Sequence, residues 1–368
     1  MKSKITHVAS VAVFMCFLFT STAFAQINTP RGSQKATVSQ TVGITNISVT
    51  YSRPSVRGRE IWGKLVPYGM NNFGFGTAKE SPWRAGADEN TVITFSNDVK
   101  IEGKPIKAGT YGLHMEVKEN GSVTLIFSNN STSWGSYFYE PSEDALRVEV
   151  QSKEIPTKEL LTFDFIEVKP NSTTLALQWE KKEIPFAIEV DVTTIVLANI
   201  RKTMQDQLGF NRQTWEDAAA FSLNNGGDLD EALAWINNAI AGQFYSQQTF
   251  ANTQIKAAIL MKQGKNDEAL AAIDQALPLA TVIEIHQYGR QLLAQKMNDR
   301  AMEIFTYNAK KHKGTWPVHY GMARAYSAKG DFKPAIKHLK KALENAPNAA
   351  SKSRVQANLD KLKKGEAI

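Results

Sequence analysis

The chain has very little cysteine and histidine. Cys16 is the only cysteine among 368 residues, and only six residues are histidine. One cysteine cannot form an intramolecular disulfide, and the chain has no Cys pair, His-x-His or His-Glu-x-x-His pattern with the ligand spacing of a zinc site. We therefore expect no metal centre, no cofactor and no thiolate chemistry.

Long apolar runs are also missing. The most apolar segment, Val8 to Phe19, follows Lys2 and Lys4 and is too short for a normal membrane span. Ala23-Phe24-Ala25 then offers the small-x-small pattern that signal peptidase cuts. We interpret residues 1–25 as a signal peptide cleaved after Ala25, with an uncleaved anchor as the alternative. The expected location is periplasmic or extracellular, with no transmembrane anchor after cleavage.

Positive charge is only mildly in excess. The chain has 43 Lys and Arg residues against 36 Asp and Glu residues, a formal net charge of +7, and much of the excess lies after residue 336. A basic terminal helix can contact anionic lipid or nucleic acid, but it is more often a solvated face that caps a helical array. The expected export also argues against nucleic acid, so we expect no nucleic-acid partner.

Residues from about Ile44 to Val192 alternate between apolar and polar with a period near two, which is typical of strands. Asn120-Gly121 predicts a tight hairpin in which both turn residues have positive φ. Leu160–Val168, Thr173–Lys181 and Pro185–Val192 are expected as three separate strands near the end of this region. Eight or nine short strands without a long helical pattern predict an antiparallel β-sandwich over residues 26–191.

Beyond Asp191 the period becomes helical. The pattern predicts a connecting helix within residues 192–211, four helical hairpins over residues 212–350 and a basic cap helix or tail over residues 351–368. Four segments align on the alanines Ala232, Ala269, Ala301 and Ala335, with Gly227, Gly264, Lys296 and Gly330 in the turns before them. Small residues recur on both sides of these alanines, at Ala220, Ala257, Gly289 and Ala323 upstream and at Ala239, Ala276 and Ala342 downstream; Asn308 breaks the pattern in the third segment. The repeat of about 34 residues resembles the tetratricopeptide family, with an unrelated helical bundle as the alternative.

The β half carries long, specific strings of residues, namely Arg53 to Gly69, Trp83 to Glu89, Lys107 to Leu113, Trp134 to Tyr137 and Asp144 to Val148. These strings resemble an exported bacterial domain-of-unknown-function family, number twenty-nine eleven, over residues 30–190. The chain departs from that family at Met70 to Pro82, where an insertion containing Gly and Asn replaces the usual short link. The resemblance implies a domain but no reaction.

The same strings supply the candidate ligand-binding residues. Aromatic faces beside guanidinium groups and a carboxylate can hold a glycan or an anionic envelope ligand. The candidates are Arg53, Arg57, Arg59, Trp62, Tyr68, Trp83, Arg84, Asp88, Trp134 and Tyr137. The alternative is structural, because Trp and Tyr also fill sandwich cores and Arg also fixes loops through backbone carbonyls.

No residue is assigned a catalytic role. A hydrolase needs a nucleophile with a base or two carboxylates that face one bond, and the Gly-x-Ser-x-Gly motif is absent. The remaining candidates are His114 and the carboxylates Asp88, Glu89, Glu140, Glu143 and Asp144. Convergence of Asp88, Glu89 and His114 in one cleft would favour an enzyme, whereas the spacing of Asp144 and Arg147 is more typical of a structural ion pair.

In tetratricopeptide-type arrays the first helix of each hairpin lines a concave groove. The groove candidates are polar and mildly basic, which suits an acidic protein or peptide partner: Asn224, Lys256, Gln287, Arg290 and Arg324. Packing of the array on the β domain is the alternative to partner binding.

Together these patterns predict an α+β multidomain chain, with an antiparallel β-sandwich followed by an all-α tetratricopeptide-like solenoid. The expected function is that of an exported, non-catalytic interaction protein, with a periplasmic hydrolase acting on glycan or peptide through β-domain carboxylates as the alternative. A purely structural role in an envelope assembly is a third hypothesis.

Overall fold

The structure of the chain, a computed structural model, describes residues 29–368. The expected signal peptide at residues 1–25 lies outside the described residues. The chain divides into two units between Val190 and Asp191. In the described part, no helix is both long enough and apolar enough to cross a bilayer.

The N-terminal unit consists of two antiparallel sheets. One sheet has six strands in the order β1-β2-β3-β6-β7-β8, and the other has four in the order β5-β4-β10-β9. The strands are β1 Gln34–Val42, β2 Thr45–Arg53, β3 Val92–Phe95, β4 Val99–Ile101, β5 Lys104–Ile106, β6 Gly109–Val117, β7 Ser122–Ser128, β8 Asp144–Gln151, β9 Lys153–Lys169 and β10 Ser172–Glu189.

Alternating apolar residues bring the two sheets together. In β2, Ile47, Val49 and Tyr51 are buried while intervening residues are more exposed, as period-two patterning requires. The Tyr51 ring meets Phe163 of β9 at a centroid distance of 4.9 Å, and Phe127 of β7 meets Phe186 of β10 at 6.3 Å. The predicted antiparallel β fold of this half is confirmed.

Two local predictions in the β half were wrong. The segments expected as separate strands at Thr173–Lys181 and Pro185–Val192 form one strand, β10, which contains register shifts on either side of Glu180. The hairpin at Asn120-Gly121 exists, but only Gly121 has positive φ, at 85°. The Gly121 N–H donates to the Lys118 carbonyl and the Lys118 N–H to the Ser122 carbonyl, so the strands are joined by a three-residue loop that ends in a left-handed glycine instead of a two-residue turn.

The C-terminal unit is all helical in its regular structure. Its helices are α1 Val192–Thr203, α2 Arg212–Asn225, α3 Leu229–Ile240, α4 Phe250–Lys262, α5 Asn266–Ala276, α6 Val282–Ala294, α7 Asn298–Lys311, α8 Trp316–Ala328, α9 Phe332–Glu344 and α10 Ala349–Lys363. The connecting helix predicted within residues 192–211 is α1, which ends at Thr203, and a short 3₁₀ turn follows at Gln207–Phe210. Thr249 and Thr281 begin α4 and α6 with capping boxes.

Helices α2 to α9 form four hairpins, with α10 packed after the last one. The four aligned alanines, Ala232, Ala269, Ala301 and Ala335, are completely buried, as expected where two helices approach closely. The predicted register is off by one residue in the first hairpin. There Gly226, not Gly227, has the left-handed backbone, and Ala219 of α2 is completely buried while Ala220 is half-buried.

The third hairpin differs from the others in its packing. Asn308 is fully buried at a position where the other hairpins bury alanine, and its Nδ2 donates to the Val282 carbonyl at 3.0 Å. Phe305 is also fully buried and lies directly against two glycines, Gly289 of α6 and Gly321 of α8. Lys296 has φ of 62° in the turn where the second and fourth hairpins have glycine.

Candidate functional site

The N-terminal unit contains a cavity of about 380 Å³, here called the central cavity. Its wall comes from the segment after β2, the loop that follows it and the segment before β3, and Trp179 of β10 also lines it. Five of the ten predicted ligand-binding residues line this cavity: Arg57, Arg59, Trp83, Arg84 and Asp88. Sequence-distant candidates are therefore brought together in one place.

The backbone around the central cavity is strained. Arg57, Ala85 and Asp88 have φ of 50°, 52° and 59°, a region that non-glycine residues rarely adopt and that clusters at functional sites. The surrounding structure holds these conformations in place. The Arg57 N–H donates to Glu159 Oε1 at 3.0 Å, and Arg84 Nη1 donates to the Asp88 carbonyl at 2.7 Å.

Two arginines of the central cavity are fixed by backbone carbonyls. Arg59 donates from Nε to Val56 O at 3.1 Å and from Nη2 to Ser55 O. The Arg84 guanidinium lies 4.9 Å from the centre of the Tyr137 ring and against Gly135, where an added Cβ would be 2.6 Å from Arg84 Cζ. Both charges are therefore positioned before any ligand arrives.

Arg57 and Asp88 differ from those two arginines. Arg57 is exposed and Asp88 is half-buried, and both line the cavity. Among residues 29–368, the hydrogen bonds of these two residues involve only their backbone groups. A guanidinium and a carboxylate with free hydrogen-bonding capacity thus stand at the same cavity.

Three tryptophans pack together behind the cavity. The Trp83 and Trp179 rings are stacked with centroids 6.0 Å apart, and Trp62 meets them edge-on at 5.7 and 6.1 Å. Trp83 and Trp179 line the central cavity, but Trp62 does not. The structure therefore places Trp62, a predicted ligand-binding residue, as support for the other two indoles, with Lys182 Nζ 5.5 Å from its ring centre.

A second, more open cavity of about 640 Å³ adjoins the central cavity and is here called the aromatic cavity. It contains the predicted residues Trp134 and Tyr137, together with Phe73, Phe75 and Phe138. Phe75 and Trp134 are 66% and 51% exposed, which is unusual for side chains of this size. Phe73 and Phe75 were not among the predicted residues, although two phenylalanines inside a Gly- and Asn-containing insertion were a usable signal.

A third cavity, of about 340 Å³ and here called the basic cavity, shares Arg57 with the central cavity and also includes Arg31 and Arg53. Arg53 also ties β2 to β9, because its Nε donates to Leu161 O at 2.9 Å and its Nη2 to Thr162 Oγ1 at 2.8 Å. Tyr68, the last predicted residue of this set, is 37% exposed and lies outside the linings of all three cavities.

Asp88, Glu89 and His114, whose convergence in one cleft would favour an enzyme, do not line one cavity together. Asp88 lines the central cavity, whereas Glu89 forms an ion pair with Arg31. His114 is only 2% exposed, and burial, followed by the charge of Arg84, lowers its pKa to about 4. His114 is therefore a neutral interior residue at pH 7.

His114 has a partner that the sequence analysis missed. Its Nδ1 lies 3.1 Å from the Oγ of Ser136, a buried residue that also lines the central cavity. This contact attaches the loop after β7 to strand β6. The remaining candidate carboxylates are outside the cavity lining, and Asp144 forms the predicted ion pair with Arg147 at 2.6 Å. In the part of the chain described, no three His, Cys, Asp or Glu side chains are grouped to hold a metal ion.

The predicted groove residues of the array all lie on the first helices of the hairpins. Asn224 of α2 and both Gln287 and Arg290 of α6 are exposed, while Lys256 of α4 and Arg324 of α8 are half-buried. The first-helix face, defined by these five residues, is therefore polar in all four hairpins and carries a basic residue in the last three.

Aromatic side chains hold one charge of the first-helix face in place. Arg324 Nη2 donates to Tyr320 Oη at 2.9 Å, and its guanidinium lies 4.7 Å from the Tyr320 ring centre. His286 of α6 stacks on the same ring at 5.9 Å. Burial, with a further contribution from Arg324, lowers the pKa of His286 to about 4, so the histidine is neutral at pH 7 and the positive charge there comes from Arg324.

The two units match known families in the predicted order. Residues 33–188 match the model of a family described as "Protein of unknown function (DUF2911)", and residues 292–359 match a tetratricopeptide repeat model. The chain thus matches the model of that family in its N-terminal unit and a tetratricopeptide repeat model in part of its C-terminal unit. Arrays of this class present extended concave surfaces to other proteins, so the repeat match supports a protein-interaction role.

Solved structures resemble the repeat region at low identity. YrrB, described as a TPR protein with an unusual peptide-binding site, is 17% identical over 45% of this chain and 84% of its own, with a TM-score of 0.29. The C-terminal part of a TPR repeat-containing protein from Cytophaga hutchinsonii is 16% identical over 47% and 67%, with a TM-score of 0.35. MamA from Desulfovibrio magneticus RS-1 is 16% identical over 42% and 88%, with a TM-score of 0.28. The comparison with curated proteins gives no significant match.

Proposed function

We propose that the protein is an exported, non-catalytic interaction protein whose repeat array binds an acidic segment of a protein partner. The observation that supports this most is the first-helix face, where polar and basic residues recur on α2, α4, α6 and α8. Lys256, Arg290 and Arg324 supply its positive charge, and Arg324 is already fixed against Tyr320. Guanidinium groups bind carboxylates through paired hydrogen bonds, which favours an acidic segment.

A peptide array probed with the full chain tests this proposal. The array carries Glu- and Asp-rich peptides, each beside a version in which Gln and Asn replace the acids. Arg290→Glu reverses a charge on the first-helix face, and Lys310→Glu makes the same change on α7, a second helix. We expect binding to the acidic peptides alone, and a loss of about tenfold or more for Arg290→Glu only. Equal binding of both peptide sets, or equal effects of both variants, would rule out the proposal.

The N-terminal unit supports a second interaction, with a small ligand or envelope component in the central cavity. Three observations favour a preformed binding site. The backbone is strained at Arg57, Ala85 and Asp88, two arginines are fixed, and the side chains of Arg57 and Asp88 have free hydrogen-bonding groups. The hydrolase alternative gains no such support, because Asp88, Glu89 and His114 are engaged in three different environments.

A thermal-shift screen tests the small-ligand proposal on the full chain, with Arg57→Gln as the variant and Lys100→Gln as the control. Lys100 is exposed on β4 and outside the three cavities. A ligand that raises the melting temperature of wild type and Lys100→Gln, but not of Arg57→Gln, supports the site. Hits that stabilise all three proteins equally do not use the central cavity and count against it.

Export is the third part of the proposal. It rests on Lys2, Lys4, the apolar run Val8 to Phe19 and the Ala23-Phe24-Ala25 pattern. Fractionation of producing cells tests it, with cleaved protein expected in the periplasm or the medium and full-length protein in the cytoplasm as the contrary result.

A further inference from the structure

The central cavity of the N-terminal unit shares lining residues with both of the other cavities. The central and basic cavities share Gly32, Ser55 and Arg57, and the central and aromatic cavities share Phe73. With volumes of about 340, 380 and 640 Å³, they extend well beyond the space that one small molecule fills. These three neighbouring cavities, here called together the groove of the N-terminal unit, have the combined volume for a ligand of several linked units.

Charge along this groove is strongly one-sided. Arg31, Arg53, Arg57, Arg59 and Arg84 line the basic and central cavities, while Asp88 is the one acidic residue among the lining residues described. Arg59 and Arg84 are held by backbone carbonyls, so orienting them for a ligand costs little side-chain entropy. The exposed Arg57 stands where the two cavities meet. A carboxylate or sulfate on the ligand therefore finds its strongest attraction near Arg57.

The remaining lining residues narrow the chemistry of the ligand. The half-buried Trp83 and the exposed Trp134 offer flat apolar faces, and the Asp88 carboxylate can accept hydrogen bonds from hydroxyl groups. A bare inorganic anion makes no use of the indoles and is repelled by Asp88, while a plain aromatic ligand makes no use of the exposed Arg57 guanidinium, the one arginine of the lining whose side chain has no hydrogen bond among the described residues. Sugar rings combine an apolar face with a rim of hydroxyl donors, and acidic sugars add the anionic group.

We propose that the groove binds an acidic oligosaccharide, with an acid group of one sugar at Arg57 and a neighbouring ring against Trp134 in the aromatic cavity. This inference rests on the proposed ligand-binding function of the N-terminal unit and adds the ligand class to it. Carboxylate-bearing and sulfate-bearing sugars share the required chemistry, and the experiment separates them.

Isothermal titration of the full chain with defined oligosaccharides tests the inference. The probes are an oligogalacturonate, the same oligomer as its methyl ester, a sulfated carrageenan oligosaccharide and a neutral cello-oligosaccharide, with citrate and pyrophosphate as free anions. We expect at least one acidic oligosaccharide to bind about tenfold or more tightly than the ester and the neutral oligomer. Whether the carboxylated or the sulfated oligomer binds more tightly then identifies the preferred acid group.

Variants assign the two ends of the groove. Arg57→Gln should weaken the acidic oligosaccharide about tenfold or more and reduce the salt dependence of binding, while Lys100→Gln should leave both unchanged. Trp134→Ala should weaken the same ligand several-fold, whereas Phe210→Ala, which removes an exposed ring from the C-terminal unit, should not.

The possible failures are distinct. Equal binding of acidic, esterified and neutral oligomers overturns the acidic part of the inference. Arg57-dependent binding of citrate or pyrophosphate, without binding of any oligosaccharide, overturns the saccharide part. In both cases the proposed ligand-binding function survives. If none of these probes binds in an Arg57-dependent way, the oligosaccharide inference is rejected outright. The proposed function is then judged by the thermal-shift screen, whose outcome does not depend on sugars.

Discussion

Phe305 lies between two helical glycines, and this geometry predicts that Gly321→Ala destabilises the repeat array. An added Cβ at Gly321 would lie 2.6 Å from Phe305 Cε1 and closer still to Cδ1, and Phe305 is completely buried. On the other side of the ring, a Cβ at Gly289 would lie 2.5 Å from Cζ. The ring therefore has no free space on either side into which it can move.

The expected magnitude is the sum of two opposing effects. Replacing glycine by alanine inside a helix normally stabilises by about 1 kcal/mol. Forcing an extra methyl into a filled core costs about 1–3 kcal/mol. We therefore expect Gly321→Ala to lower the free energy of unfolding by up to about 2 kcal/mol, the opposite sign from an unconstrained helical position.

Urea unfolding followed by circular dichroism at the helical band measures this change, because the α-helices of the described structure all belong to the C-terminal unit. Phe305→Leu provides the second background, since it removes the ring atoms that the new methyl meets. There Gly321→Ala should be neutral or stabilising, which gives a coupling of about 1–3 kcal/mol in the double-mutant cycle. Stabilisation by Gly321→Ala in the wild-type background, or equal effects in both backgrounds, would refute the packing argument. Gln287→Ala, on the exposed face of α6, should change stability by less than about 0.5 kcal/mol.

Three further predictions address other parts of the chain. Lys296→Gly should stabilise the array by about 0.5–1 kcal/mol in urea unfolding, because it relieves a left-handed backbone at a non-glycine residue. The control Lys265→Gly, at φ of −87°, should give no gain in stability. An equal gain in both variants would contradict the strain argument. Because the pKa of His114 is lowered to about 4 from its ordinary 6.5, the unfolded state takes up a proton before the folded state does as the pH falls. The stability that this group contributes is complete above pH 6.5 and decreases from there toward pH 4, by on the order of 3 kcal/mol. Unfolding followed by tryptophan fluorescence should show this decrease in wild type and a flatter profile in His114→Gln; identical profiles would show that another group is responsible. Intact mass of the exported protein should correspond to a chain that begins at Gln26, and a species that retains residues 1–25 would count against cleavage after Ala25.

The fold was largely predictable because periodicity is a local property of the sequence. Period-two alternation indicated the antiparallel sheets, and the recurring alanines indicated four hairpins, which the structure confirms as buried contacts. The errors occur where local signals are ambiguous. Gly226 and Gly227 are adjacent glycines, so the sequence does not reveal which takes the left-handed backbone, and the register of α2 shifted by one residue as a result.

The candidate site was predictable in its residue types but not in its assembly. Arg57, Trp83 and Asp88 come from segments that meet through contacts distant in sequence, such as the bridge between Trp83 and Met115. Trp62 and Trp134 both stand beside glycine in aromatic-rich strings, yet one supports buried indoles and the other is half exposed. Only the tertiary packing distinguishes these roles.

Asn308 has a consequence for how the array can be rebuilt. Its buried amide reaches the Val282 carbonyl, a contact that the alanines at the same position of the other hairpins cannot make. The helices of the third hairpin therefore cannot be exchanged freely with those of another hairpin. A chimera that places α7 after the first helix of another hairpin would bury the Asn308 amide, which needs a matching carbonyl. The second and fourth hairpins have alanine at this position and are therefore the better units for duplication.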